Sequence, residues 1–473
     1  MKNIYRRQGQ LSISLLVFSA VTVIMVSGFA LWAGSFLNLS LRDFNKASAF
    51  SISEAGIEYY RWHLAHAASD FQDGTGHAGP YVHNYYDKDG NVIGTFTLDI
   101  TPPPIGSTIV TIQSTGKVAA DSFVTKAIKV KLGVPSLAKY SVAANDNMRF
   151  GAGTEVFGEL ISNKGIRFDA IAHNIVKSAL PTYSDPDSPY DNAFGVHTHD
   201  APADPSPPAP MPSRPDVFMA GRQVSVPAVD FVGLTQKLSS LRALATSSGF
   251  YATSSGAYGF DLVFGASSTY QVYKVTALTD TPRRCTNTNN QTGWGTWSIG
   301  TETPWKSGTI PANGIFFFED HVWARGQING SRVTVATGKF PDLASTRTSI
   351  TVNNDLLYTK YDGTDSIGLI AQNNVNVGMA SENDLRIDAA LVAQNGRVGR
   401  FYYESDCDPY DVRQTLTSYG MIATNVRYGF AYTDDTGYQT RNLIYDSNFL
   451  YGPPPSFPLA ASNYVQVSWE EVQ

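Results

Sequence analysis

The sequence predicts a mainly β chain led by one long N-terminal α-helix, an α+β class. Three observations predict it. Leu11 to Ala33 is an uncharged apolar run, and no proline interrupts the chain from Met1 to Gly79. From Tyr85 onward, short segments alternate β-branched or aromatic residues with polar ones, punctuated by Gly and Asn turn signals. Charged residues make up only 16% of the chain, against about 25% in an average soluble chain, while Tyr and Phe each number 25.

The helix comes first. Lys2, Arg6 and Arg7 precede the apolar run, and no charge appears between Arg7 and Arg42. Leu11 to Ala33 is 23 residues, about 34 Å as a helix, enough to cross about 30 Å of hydrocarbon. The basic leader places the N-terminus in the cytoplasm and the rest outside. A secretory signal cleaved near Ala33 is the rival reading; the run exceeds the usual apolar core of such signals. Beyond the membrane, Leu41, Phe44, Ser48, Ile52, Ala55, Tyr59 and Trp62 recur in steps of three and four, which predicts one packed helical face.

A basic leader ending in Gly, an apolar helix and then "SEAGIEYY" resemble the N-terminal region of type IV pilins and of pilus-assembly proteins of the PilX class. The resemblance implies leader cleavage between Gly9 and Gln10; an uncleaved anchor is the other reading. It also implies a membrane anchor before assembly and helix packing with other pilin-like subunits. Many pilins carry Glu five residues into the mature chain. Ser14 stands at that position, so the usual Glu-to-N-terminus pairing has no carboxylate here.

Next, "YYDKDGNVIGTFTLDI", "STIVTIQSTGKV" and "FVTKAIKVKLGV" read as a small antiparallel sheet over residues 85–135. Asp87, Asp89 and Asn91 read as a hairpin turn; the remainder of a calcium loop is missing. "GELISNKGIRFDA" and "GLIAQNNVNV" belong to short strands separated by Asn- and Gly-containing turns. These predict stacked coils of a β-solenoid-like body with asparagine ladders at the corners; a sandwich is the alternative. The same phrases resemble the β-solenoid body of PilX-related bacterial surface proteins.

The expected organisation is a cytoplasmic leader (1–9), transmembrane helix (10–36), amphipathic continuation (37–72), antiparallel sheet (85–135) and first body segment (140–180). There follow a Pro-rich loop and helix insertion (181–249), a Trp-bearing β/loop insertion (250–312), a second body segment (313–400) and a C-terminal β segment capping the body (401–473). Ten prolines between Pro181 and Pro215 predict an exposed, extended loop. Leu234, Leu238, Leu241 and Leu244 predict one face of a helix that Gly249 stops.

The net charge of −6 argues against nucleic acid as a partner. Cys285 and Cys407 form one disulfide or remain two buried thiols. A bridge closes a loop of about 120 residues, worth about 4–5 kcal/mol in the chain-entropy model. His197 and His199 alternate as two metal ligands would, with Asp191 or Asp204 as a third. Their Pro-rich flanks favour a solvated loop, so no metal and no cofactor is expected. His63 and His66 read as an exposed helical face. Glu319, Asp320 and His321 are the best enzyme candidate, but adjacent carboxylates on a strand point to opposite faces. Trp294, Trp297 and Trp305 pack their loop onto the body or form a contact surface.

There is no phosphate loop, GxSxG, HExxH or CxxC. The sequence thus predicts a non-enzymatic surface protein with an assembly or adhesion role, contacting membrane, like subunits and a surface glycan or protein. An anchored carbohydrate-binding or carbohydrate-cleaving protein is the alternative.

Overall fold

A computed structural model describes the backbone of residues 5–104, 106–188, 192–459 and 463–472, and side chains from residue 11 except 232–237. The leader residues Met1 to Ile4 lie outside the described residues. The chain divides into two compact units. One comprises Met1–Pro102, Ile109–Gly133 and Asn463–Gln473; the other comprises Pro103–Thr108 and Val134–Ser462.

The first unit is built on α1, Tyr5–His66, one helix of 62 residues. Its second half packs on an antiparallel sheet of β1 (Tyr81–Tyr86), β2 (Val92–Thr101), β3 (Ile109–Val118), β4 (Asp121–Gly133) and the C-terminal strand Val465–Val472, in that order. The helical face differs from the predicted stripe. Ala49, Ile52, Ser53, Ile57, Tyr60 and Leu64 are buried, whereas Leu41, Phe44 and Trp62 are exposed.

Close approach decides this face. A Cβ on Gly116 of β3 would lie 2.1 Å from the Ala49 carbonyl oxygen, and one on Gly56 would lie 2.3 Å from Ser114 Oγ. Small residues therefore let helix and sheet backbones meet, and the larger side chains on either side fill the flanks. Alternation along β3 sends Val110, Ile112 and Ser114 into this core. The predicted turn is present: Asp87 Oδ1 accepts from the main-chain N–H groups of Asp89 at 2.9 Å and Asn91 at 2.8 Å.

The expected C-terminal β segment is divided between the units. Its strand Val465–Val472 pairs with β4 of the first unit, with Trp469 opposite Val130. Its charges suit this edge: Glu471 pairs with Lys126, and Glu470 lies 3.4 Å from Lys129. Alternation identifies a strand, but the choice of sheet depends on a neighbour more than 300 residues away.

The second unit stacks short strands in parallel. One register aligns Phe250, Phe316, Val335, Leu369, Leu391 and Ile422 on successive coils. Ile422 then pairs with Val142, and the register continues through Leu160 and Val176 to Arg222. The first coils in sequence thus follow the last coils in space. Arg222 and Phe250 stand at opposite ends of this register, and α2 (Val232–Ser248) lies in the segment between them.

An asparagine ladder crosses the junction. Asn145 Nδ2 donates to Asn425 Oδ1 at 2.9 Å, and Asn163 Nδ2 donates to Asn145 Oδ1 at 2.8 Å. The insertion at 250–312 contributes the Phe250 rung and antiparallel strands Gly259–Gly265, Thr269–Leu278 and Ile299–Thr309. Leu238, Leu241 and Ala245 bury one face of α2, but Leu244 is 40% exposed; the side chain of Leu234 lies outside the described residues. Gly249 accepts the helix end with its N–H donating to the Ala245 carbonyl. A Cβ there would lie 2.5 Å from the Ile315 carbonyl oxygen.

Candidate functional site

Two features stand out from the scaffold: the first half of α1 and a histidine cluster under the Pro-rich segment. Among the described residues, α1 is the one helix long and apolar enough to cross a membrane, and none of its most apolar window is buried by the rest of the chain. Two hydroxyls there bond their own helix. Ser19 donates to the Leu16 carbonyl at 3.0 Å and Thr22 to the Phe18 carbonyl at 2.8 Å. Internal satisfaction of this kind lets polar residues sit in hydrocarbon. Trp32 and Phe36 stack near the end of the uncharged stretch. Gly9 and Gln10 belong to the helical backbone; their side chains lie outside the described residues.

Cys285 and Cys407 are joined in a disulfide. They pack with Met379, Phe401 and Tyr403, and Trp294 and Trp297 lie against this cluster. Trp294 Nε1 donates to the Tyr402 carbonyl at 3.1 Å. Trp305 packs on Phe260 with ring centres 4.8 Å apart. Trp294 and Trp297 thus pin their insertion to the coils, whereas Trp305 and Phe260 both belong to the insertion.

Glu319, Asp320 and His321 occupy a coil corner, each with a structural partner. Glu319 pairs with Arg242 at 2.6 Å. Asp320 Oδ2 accepts from the Ser255 N–H at 2.7 Å and from the hydroxyls of Ser255 and Ser254. His321 Nδ1 accepts from the Ser349 N–H at 3.0 Å, and burial lowers the pKa of its ring. On α1, His63 lies 3.0 Å from Asp70, and His66 Nδ1 lies 2.8 Å from the Trp62 carbonyl. His63 and His66 therefore have separate partners.

A second charged group lies deeper. Asp261 is fully buried and 2.8 Å from Arg325, which also reaches Glu302 at 3.2 Å. Desolvation pushes the Asp261 carboxyl up to about 7 despite the guanidinium. Nothing in the sequence pattern marks this trio, because its members come from separate strands.

The histidine segment overturns the solvated-loop expectation. Val196–His197 forms a short strand pairing in parallel with Ile166 and Arg167. His197 is only 2% exposed. Burial lowers its pKa, and Asp185 opposes that shift. Residues around 201–213 do remain largely exposed, but they bend and turn instead of running extended. They are tied down by Arg214, which donates to the Asp200 carbonyl at 3.1 Å, and by Arg222, which donates to the Pro212 carbonyl at 2.6 Å.

The carboxylate facing the histidines is Asp185. Ligand-type atoms of Asp185, His197 and His199 all lie within 4.8 Å of one another. Asp204 is instead paired with Arg222, and Asp191 lies outside the described residues. The apolar residues Ala193, Phe194 and Val196 just before His197 were the available signal of burial. Asp185 carried none, because the loop's path decides which acid returns.

The fold and these features define a β-rich chain with a candidate membrane span, a helix-on-sheet unit and a parallel-coil unit. No protein-family model and no curated protein matches it. Among solved structures, the crystal structure of the competence-associated pilin ComZ from Thermus thermophilus aligns over 90% of this chain and 97% of that chain, at 12% identity and a TM-score of 0.34.

Proposed function

We propose that this chain is a membrane-anchored, pilin-like surface protein with a structural, assembly or adhesion role. The observation that carries the reading is the continuity of α1. One helix leads from an uncharged, exposed apolar segment into tight packing on an antiparallel sheet. Such a helix sits in hydrocarbon before assembly. It can then exchange lipid for the apolar helices of like subunits, because packing drives helix association within the bilayer and burial of apolar surface from water drives it outside.

The basic leader sets the body on the extracytoplasmic side, and the Gly9–Gln10 bond is where a prepilin peptidase would cut. Within this class, the PilX-like pilus-assembly reading rests on "SEAGIEYY", whose Gly56 makes the close helix–sheet approach. A surface glycan or protein is the ligand class for an adhesive role. Glu319 and Asp320 are held by Arg242, Ser254 and Ser255 as corner contacts, which supports a structural role for them, and the proposed role is without catalysis.

The test is fractionation of sheared surface filaments, with mass spectrometry of the N-terminus. The expected result is the chain in the filament fraction, beginning at Gln10, and its loss from that fraction when prepilin peptidase is absent. A mature chain retaining Met1 to Gly9 and absent from filaments would overturn the reading.

A further inference from the structure

We propose that Asp185, His197 and His199 bind one divalent transition-metal ion of the zinc type. The donor set is one carboxylate and two imidazoles, with all ligand-type atoms within 4.8 Å of one another. A tetrahedral ion with bonds of about 2.0–2.1 Å separates its ligand atoms by about 3.4 Å. His197 Nε2 and Asp185 Oδ2 are already 3.3 Å apart. The His197 and His199 ring centres are 5.1 Å apart, so a modest turn of His199 completes the span.

The second observation is the state of the buried polar atoms. His197 is 2% exposed, and neither of its ring nitrogens has a hydrogen-bond partner; Asp185 Oδ2 has none either. A buried neutral imidazole ordinarily donates from one nitrogen and accepts at the other. Unmet donors and acceptors in the interior are costly and call for a partner. One metal ion satisfies the carboxylate oxygen and an imidazole nitrogen together.

The surroundings hold these ligands in place. Asp185 Oδ1 accepts from the Asp187 N–H at 3.0 Å, and the His199 N–H donates to Asp169 Oδ1 at 2.7 Å. Ser188 Oγ lies 3.4 Å from His199 Nε2. Arg167 Nη1 approaches Asp185 Oδ2 at 3.9 Å. Its guanidinium is engaged by Asp169 Oδ2 at 2.6 Å and by the Asp187 carbonyl at 2.9 Å. That cation is therefore committed beside the cluster and leaves the Asp185 oxygen for a ligand.

Imidazole nitrogens select zinc-type metals over calcium or magnesium, which take oxygen ligands. Three protein ligands leave one coordination position open. The ion would tie the Asp185 turn to the strand Val196–His197, which itself pairs with Ile166 and Arg167. This role is independent of whether the chain enters a filament.

The test uses full-length protein in detergent, without a histidine tag, stripped by chelator and titrated with Zn²⁺ by calorimetry. Co²⁺ absorbance provides a second probe. We expect one ion per chain. Asp185→Asn and His199→Gln, which nearly preserve side-chain volume, should each weaken binding by more than about 100-fold, since even outer-shell partners cost 10–100-fold. His66→Ala should leave binding unchanged, and circular dichroism should confirm that each variant is folded. Failure of the folded chain to take up Zn²⁺, binding retained in both ligand variants, or Ca²⁺ displacing Zn²⁺ at equal concentration would each overturn the proposal.

Discussion

The two compact units solve the same problem, pairing strands over an apolar core, by opposite means. In the first unit, β1 to β4 follow one another as antiparallel neighbours, and only Val465–Val472 arrives from far away. In the second, pairing is mainly parallel, and each parallel strand waits for the chain to travel a full coil before meeting its partner. The junction between Ile422 and Val142 joins residues 280 positions apart. Antiparallel neighbours are specified by local turns and alternation; parallel neighbours depend on every intervening corner. The second unit accordingly carries long-range fasteners: the Cys285–Cys407 bridge and the Asn425–Asn145–Asn163 ladder.

This contrast breaks most sharply at the disulfide. Cys285→Ser with Cys407→Ser should destabilise the second unit by about 4 kcal/mol, because the bridge closes a long loop. Hydrogen exchange should show the loss in the parallel coils and leave β1 to β4 protected as before. Equal loss in both units would mean that they unfold as one.

A smaller effect is expected in the first unit at Gly116→Ala. The new Cβ meets the Ala49 carbonyl oxygen at 2.1 Å and the Ser53 nitrogen at 2.5 Å. Both are backbone atoms of α1, so the helix must shift, at a cost of about 2 kcal/mol. Denaturant unfolding monitored by helical circular dichroism checks this; an unchanged midpoint would show that the approach is looser than described.

The smallest effect should come from Asn145→Ala. It removes the middle of the ladder and leaves amide groups of Asn163 and Asn425 to find other partners, at about 1 kcal/mol. Exchange rates should rise first at residues 142–144 and 422–424. A uniform rise across the coils would instead mean that the ladder adds no local fastening.

Much of this fold was legible because its signals are local. The uncharged run and the absence of proline announced α1. The Asp87–Asn91 turn and the alternation around it announced the antiparallel hairpins. Asn-containing turns after short apolar strands announced the ladder. The buried face of α1 was only partly legible, with Ile52 and Tyr59 on the expected stripe and the rest off it. Periodicity weighs large apolar residues such as Phe44 and Trp62, whereas the contact is made through Ala49, Ser53 and Gly56, which are small enough for two backbones to approach. For the histidine cluster, the pair of imidazoles was visible, but Asp185 was not, and Pro-rich flanks suggested solvent where the chain folds inward.

The sequence by itself determined the long apolar helix, the β-rich remainder and the corner asparagines, because each follows from the charge, branching or turn chemistry of adjacent residues. Tertiary structure alone decided where Val465–Val472 pairs, how Val142 docks on Ile422 and which carboxylate faces His197. These depend on the path of the whole chain, and no window of neighbouring residues contains it.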